Sequence, residues 1–302
     1  MTIRIAWGFT GAGCWLPESY EILGRLLRNS EIEIDLFYSE AGREVSQCYG
    51  VFNTPVPQKI PFIDKVREIP NFNQDIFKPN FIEKYQWLGV NEDTSATEYF
   101  ENIDQRNKDD DEEKNFDFDE TFNDVIFEID EGASFPTSAT ASIGKYDYVI
   151  ISPATGNTIA KLNVGIADNL ITNLVIMANK SKKTQVLITP TDYEIGDVKS
   201  YLPIILHPDT CRKCNECSAL WACKPGAIRR KRGKVKLNRL KCIGCLDCVK
   251  FCRFTVISFL EETTITVQER EAKAVANLMK QEGFKIFRTP EDIYDYLMKD
   301  IK

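Results

Sequence analysis

Histidine is almost missing from this chain, with one residue, His207, in 302. Zinc sites of the mixed kind, which pair Cys-x2-Cys halves and often recruit histidine, therefore have little to draw on. Long apolar runs are missing too: none approaches the roughly 20 residues that a helix needs to cross a bilayer. The opening Met1-Thr2-Ile3-Arg4-Ile5-Ala6-Trp7 lacks the basic flank, apolar stretch and cleavage site of a signal peptide. The expectation is a cytoplasmic protein without a membrane partner. Excess positive charge is also lacking, since 38 Lys and Arg stand against 45 Asp and Glu, a net charge of -7. That balance argues against nucleic acid as the partner.

Cysteine is what the chain does have, and it is concentrated. Eight of the ten cysteines lie in two runs: Cys211-x2-Cys214-x2-Cys217-x5-Cys223-Lys-Pro, and Cys242-x2-Cys245-x2-Cys248-x3-Cys252. Two residues between thiolates let one short loop wrap three corners of an iron-sulfur cubane, and the fourth corner must come from elsewhere. Disulfides need an oxidising compartment, which the absence of a leader argues against. Over about 50 residues this stretch resembles the bacterial-type two-cluster ferredoxin module, in which the fourth ligand comes from the opposite run. The resemblance implies one [4Fe-4S] cluster on Cys211, Cys214, Cys217 and Cys252, and a second on Cys242, Cys245, Cys248 and Cys223. The first run departs from the pattern, with five residues rather than three before its last cysteine. That lengthens a loop and leaves the ligand count intact.

The remaining sequence alternates strand and helix signals. Ile3 to Trp7 reads as a buried parallel strand running into Gly8-Phe9-Thr10-Gly11-Ala12-Gly13, and a helix with Leu16, Ile22, Leu23, Leu26 and Leu27 on its apolar face follows. A glycine-rich strand-helix turn aims backbone N-H groups at an anion, and it also simply makes a tight corner. The strand Ile32 to Tyr38 ends at Ser39, whose hydroxyl suits a phosphate contact or a helix N-cap. Residues 52-123 break the rhythm with Pro55, Pro57, Pro61, Pro70 and Pro79, and Lys108 to Lys114 reads as a solvated acidic loop. The rhythm resumes with the strand Tyr146 to Ile151, then Ser152 to Lys161 and Gly165 to Thr172. Small and amide-bearing residues at a strand's carboxyl end are what a ligand crevice in an open α/β sheet requires. A further strand, Gln185 to Thr189, ends at Pro190-Thr-Asp192. Thr266 to Glu282 reads as an amphipathic helix, before the strand Phe284 to Phe287 and a last helix opened by Thr289-Pro-Glu-Asp292.

Gly8-x-Thr10-Gly11, Pro153-Ala-Thr-Gly-Asn-Thr-Ile-Ala-Lys161 and Ile166-Ala-Asp-Asn-Leu-Ile-Thr172 together resemble the flavoprotein superfamily of homo-oligomeric flavin-containing cysteine decarboxylases. Gly11-Ala-Gly-Cys-Trp-Leu-Pro-Glu-Ser19 is closer to its archaeoflavoprotein and dihydromethanopterin reductase branch. The similarity covers about 1-50, 140-195 and the C-terminus. It implies FMN and an α/β, flavodoxin-like (Rossmann-like) three-layer parallel sheet with an inserted α+β two-cluster ferredoxin domain. The divisions expected are a flavin domain over 1-205, the ferredoxin domain over 206-261, and a helix-strand-helix piece over 262-302 that completes the flavin domain. It implies homo-oligomers built on trimers. FMN binding falls to Gly8, Thr10, Gly11, Ala12, Gly13 and Ser39 at the phosphate, and to Pro153, Ala154, Thr155, Asn157, Thr158 and Lys161 around the ring and ribityl chain. Asp168 and Asn169 shape the neighbouring loop.

The decarboxylases use a histidine base and a late cysteine, and here the chain departs from them. His207 lies beside the cysteine module, and no cysteine stands between Asp192 and Cys211. Cys14 and Cys48 read as small buried residues. What remains is flavin redox chemistry fed by clusters, and the resemblance implies dihydromethanopterin as acceptor. Asp192, Glu18 and Tyr193 are the candidate acids. An electron-transfer module serving only protein partners is the alternative. The basic run Arg229-Arg-Lys-Arg232 with Lys234, Lys236, Arg239 and Lys241 would attract a ferredoxin or similar acidic electron carrier.

Overall fold

The computed structural model describes residues 2-53 and 122-301, apart from 213, 215, 232, 233, 253 and 255. The five prolines of the expected excursion and the acidic run Lys108 to Lys114 lie outside the described residues.

Six strands form one all-parallel sheet: β1 (Ile3–Phe9), β2 (Ile32–Tyr38), β3 (Asp124–Phe127), β4 (Tyr148–Ala154), β5 (Gln185–Pro190) and a C-terminal strand Phe284–Ile286. Numbered along the chain within this sheet, their order is 3-2-1-4-5-6, that of doubly wound dinucleotide folds. Without the edge strand β3 the remaining five have the flavodoxin order, so the expected flavodoxin-like sheet is present with one strand added at its edge. The order reverses between β1 and β4. Ligands bind outside the carboxyl ends of the strands at such a switch point.

Strand alternation divides the core between two faces. Ile5, Trp7, Phe9, Ile34, Leu36, Tyr38 and Ile150 pack on one side with Leu16, Ile22, Leu23 and Leu26 of α1 (Leu16–Leu26). Ala6, Phe37, Val149, Ile151, Val186 and Ile188 pack on the other, beneath α3 (Gly156–Asn163) and α4 (Leu170–Ala178). Helix α2 (Glu40–Cys48) follows β2.

After β5 the chain leaves the sheet through β6 (Gly196–Leu202) and β7 (Ile205–Leu206). It then forms α5 (Ser218–Ala222), the hairpin of β8 (Ile228–Lys231) and β9 (Lys234–Leu237), and α6 (Asp247–Phe251). It returns through β10 (Ile257–Ser258) and β11 (Glu261–Val267), which pair antiparallel with β7 and β6. At this neck His207 Nε2 lies 2.8 Å from Glu261 Oε2 and 3.1 Å from Ser258 Oγ. Helix α7 (Glu269–Leu278), strand β12 (Phe284–Ile286) and helix α8 (Pro290–Asp300) follow. β12 pairs with β5, and α8 opens with a capping box of Thr289 and Asp292.

One expectation is corrected here. The helix over Thr266 to Glu282 begins only at Glu269, because Glu261–Val267 is a strand. Thr263, Thr264, Ile265, Thr266 and Val267 are β-branched and fit a pleated ribbon better than a helical turn.

Candidate functional site

The turns after β1 and β4 meet at the switch point. The buried Thr10 hydroxyl donates to the Pro153 carbonyl at 2.8 Å and accepts the Thr155 N-H at 3.1 Å, tying the two turns together. Thr155 caps α3 by accepting the Thr158 N-H. Ser39 caps α2 by accepting the Gly42 N-H at 3.0 Å. A Cβ on Gly11 would stand 2.8 Å from the Ala41 Cβ, so this turn packs directly on the start of α2.

Beside these turns opens a cavity of ≈ 500 Å³, within the range of roughly 300–1,000 Å³ common for ligand pockets. The first turn (Gly11, Ala12, Gly13, Cys14), the second (Thr155, Gly156) and Asp192 at the end of β5 supply one wall. The end of α2 supplies another with Gln47, Cys48 and Tyr49. The far wall is one face of the β6-β11 ribbon: Val198, Ser200, Leu202, Ile265 and Val267. Arg239, Leu240 and Cys242 of the cysteine-rich segment close it.

Five of the residues expected to bind or act therefore line the cavity: Gly11, Ala12, Gly13, Thr155 and Asp192. The others are not on its lining. Gly8 lies within β1, where a Cβ would crowd Ile151 and Ile171. Thr10, Ser39 and Thr158 are committed to the bonds above, and Pro153 and Ala154 are buried in β4. Asn157 is exposed on α3, Lys161 pairs with Asp168 at 2.8 Å, and Asn169 caps α4. Among the candidate acids, Glu18 sits in the first turn of α1, within electrostatic range of Tyr49 and Tyr201. Tyr193 packs on the second core, with the Arg288 guanidinium 5.8 Å from its ring centre. Asp192 is half-buried and accepts the Gly156 N-H. Burial raises its carboxyl above the usual range, and nearby Glu271 adds to the rise against a hydrogen bond from Thr191.

The ribbon face and the end of α2 were missed by sequence reasoning. Alternate apolar residues at Val198 and Leu202, and at Ile265 and Val267, were the available signal.

A second cavity is lined by Cys223, Cys242, Cys245 and Cys248 together. This is the crossed set, three cysteines from one run and the last cysteine of the other. The Cys248 thiol is pushed up by burial first, then by Cys242, Cys245 and Cys223. Thiols so crowded and dry become thiolates when cationic iron compensates them. Among the described residues no three His, Cys, Asp or Glu side chains converge on a single metal ion, and the four cysteines line one small cavity. From the other set, the pairing of α5 and α6 brings the neighbours of Cys217 and Cys252 together. Cys217 precedes α5 and Cys252 follows α6, and the Ser218 hydroxyl donates to the Phe251 carbonyl at 2.5 Å. The residues next to Cys217 and Cys252 are thus bonded to each other, while Arg230 donates to the Cys214 carbonyl.

A parallel sheet with a ligand cavity at its switch point, and a cysteine-rich insertion pressed against that cavity, defines an α/β flavin-binding protein with an electron-transfer module. The chain belongs to the Flavoprotein family, whose sequence profile matches residues 1–194. It is 28% identical over 294 residues to the dihydromethanopterin reductase (acceptor) of Methanosarcina mazei, covering 97% of this chain and 98% of that one. The Methanocaldococcus jannaschii protein of the same name is 29% identical over 297 residues, covering 98% and 96%. The crystal structure of Burkholderia xenovorans DmrB in complex with FMN, described as a cubic protein cage for redox transfer, matches with a TM-score of 0.47 at 17% identity. That match covers 99% of this chain and 95% of the other. No helix among the described residues is long and apolar enough to cross a membrane.

Proposed function

We propose that this chain is an iron-sulfur flavoprotein reductase that carries electrons from an acidic protein donor, through two [4Fe-4S] clusters, to FMN and on to a dihydropterin. One observation carries the reading: Cys242 lines both the flavin cavity and the cysteine cavity. The Cys223, Cys242, Cys245 and Cys248 cluster is then the one next to FMN, and the Cys211, Cys214, Cys217 and Cys252 cluster is the one that meets the donor. The substrate is dihydromethanopterin, reduced to tetrahydromethanopterin, as the names of relatives matched over nearly their whole length support.

When bound, the clusters supply single electrons and FMN supplies a hydride. The chain's own residues bind, orient and protonate. The Gly11 to Gly13 turn would present backbone N-H groups to the cofactor, beside Thr155 and Gly156 on the same wall of the cavity. The apolar ribbon face, Val198, Leu202, Ile265 and Val267, excludes water from the ring. Reducing an imine needs a proton at nitrogen for each hydride at carbon, and of the two carboxylates on the cavity lining, Glu44 and Asp192, we take Asp192, kept protonated to higher pH by its burial, as the acid.

The donor surface follows from charge. Residues 206-261 hold thirteen Lys and Arg against four Asp and Glu, a balance of +9, while the whole chain carries -7 and the remainder therefore -16. Trp221, Phe251 and Phe254 stand exposed there, and the Arg212 guanidinium lies 4.9 Å from the Phe254 ring. Such a basic surface with aromatic anchors suits an acidic carrier such as a small ferredoxin. The reading divides the chain into flavin domain (1-205), ferredoxin domain (206-261) and completing segment (262-302). It includes a homo-oligomer built on trimers, for which exposed Ile129, Ile143, Val164 and Ile166 offer apolar surface. A cytoplasmic, reducing setting suits thiolate-held iron.

Anaerobic turnover of the reduced protein against a panel of dihydropterins tests the reading. Oxidation of the reduced flavin by dihydromethanopterin, with stoichiometric tetrahydromethanopterin, is the expected result. A flavin that the donor reduces and no pterin reoxidises would leave only electron exchange between proteins.

A further inference from the structure

Where α2 ends, the flavin domain touches the cysteine-rich segment backbone to backbone. Gly50 and Gly244 are both buried and both left-handed, with φ of 80° and 66°. A Cβ built on Gly50 would stand 2.8 Å from the Gly244 carbonyl oxygen. One built on Gly244 would stand 2.5 Å from the Gly50 Cα and 2.9 Å from the Cys48 carbonyl oxygen, and closer still to the Gly50 nitrogen. Other left-handed glycines have no such neighbours. At Gly132, Gly165, Gly196 and Gly226 an added Cβ meets nothing within 4 Å, so turn geometry alone accounts for them. Among the described left-handed glycines, only Gly50 and Gly244 press on backbone from another segment.

The contact sits between the two cavities. Gln47, Cys48 and Tyr49, just before Gly50, line the flavin cavity, and Cys242 and Cys245, flanking Gly244, line the cysteine cavity. The Cys48 thiol donates to the Arg239 carbonyl at 3.2 Å, fastening the same seam. Electron tunnelling falls exponentially with separation, so a side chain placed here would act on rate through distance.

We propose that Gly50 and Gly244 form a side-chain-free seam that fixes how closely the Cys242 to Cys248 loop approaches the flavin cavity, which makes them positioning residues for electron transfer within the chain. This rests on the flavin and iron-sulfur reading above. Each transfer takes one electron from a reduced cluster, which returns to its oxidised state, and gives that electron to the flavin. Two such transfers with proton uptake complete the reduction.

The test uses anaerobically reconstituted full-length protein, unsubstituted and as Gly50→Ala, Gly50→Asn and Gly132→Ala. Asn tolerates positive φ, so Gly50→Asn adds bulk with little backbone strain, whereas Gly132→Ala adds strain without a close neighbour. Iron and FMN content, the fluorescence lifetime of bound flavin with oxidised clusters, and the rate of flavin bleaching after rapid cluster reduction are measured. The proposal expects normal cofactor content, a longer lifetime and several-fold slower bleaching in both Gly50 variants, with Gly132→Ala unchanged. Lifetime and rate in Gly50→Asn equal to the unsubstituted protein would overturn it. Should the unsubstituted flavin never draw electrons from the module, the functional reading fails by itself, while the lifetime still reports on the seam. If neither Gly50 variant takes up iron and FMN, amide hydrogen exchange of the unsubstituted holoprotein decides. Amides of 47-50 and 242-245 opening as one unit support the seam, and independent opening removes it.

Discussion

The parallel sheet and the cysteine-rich segment are two ways of making a stable structure from one chain. The sheet buries Trp7, Phe9, Leu23, Leu36, Tyr38, Ile150, Leu174 and Leu187 almost completely, with a helical layer on each face. The cysteine-rich segment has two helices of five residues, a hairpin of two four-residue strands and a modest apolar set, including Ala219, Ile228, Leu246, Val249 and Phe259. Segments of that size seldom supply enough core to stand alone, and metal commonly makes up the difference. Charge divides along the same line, +9 against -16. The sheet is stabilised by what it excludes from water, and the segment by what its thiolates bind.

Removing a cluster ligand tests that contrast with the largest effect. Cys252→Ser is expected to lower iron from about eight to about four atoms per chain by emptying the cluster of Cys211, Cys214 and Cys217. Flavin content should stay near normal. Selective loss of the Cys242 cluster would reverse the crossed ligation. Next in size, Asp192→Asn should lower turnover about 10²–10⁴-fold, the usual range for a lost general acid, without loss of iron. Because the Asp192 carboxyl is raised, its acid form persists to higher pH than an ordinary aspartate. Turnover should therefore fall as pH rises through the shifted value, and a pH profile of the variant that keeps this limb would assign the limb elsewhere. A smaller, several-fold effect is expected from reversing Arg230, Lys231 and Arg232 to glutamate, of which Arg232 lies outside the described residues. Stopped-flow reduction by reduced ferredoxin should slow at low ionic strength, and the gap should close as salt screens the charges. Equal rates at low salt would leave the charge division without a role in encounter. The smallest effect belongs to Lys161→Ala, since the Lys161-Asp168 pair is open to solvent and such pairs contribute about 0–1 kcal/mol. Thermal unfolding with FMN bound should barely move, and a large drop in FMN occupancy would put Lys161 back at the cofactor.

The same division governs what could be read from the sequence. The grouping of Cys223 with the second run was an expectation from the resemblance, and the structure lines one cavity with Cys223, Cys242, Cys245 and Cys248 across the intervening hairpin. Five of the six strands were legible from their apolar runs, whereas the four-residue edge strand β3, exposed at Asp124, was not. The turns around Gly11 and Thr155 were legible as a ligand crevice, since small residues at strand ends carry local information. Asn157 and Lys161 were placed at the flavin by motif resemblance, yet they lie on the outer side of α3, and helix orientation is set by tertiary packing. The ribbon that completes the cavity was not legible. Its strands pair Gly196 with Val267 across the whole insertion, and long-range antiparallel register leaves only a weak alternation in sequence.

That ribbon changes how the module should be pictured. A domain on a flexible linker samples a volume, and its encounters are described by an effective concentration. Here the two strands that carry the module outward are also the wall of the cavity, paired over seven residues on each side. Anything that fills the cavity and stiffens this wall must also favour the seated module, and by reciprocity a seated module must tighten the cavity's grip. Flavin affinity and retention of the cluster on Cys223, Cys242, Cys245 and Cys248, whose Cys242 lines the cavity, should therefore rise and fall together.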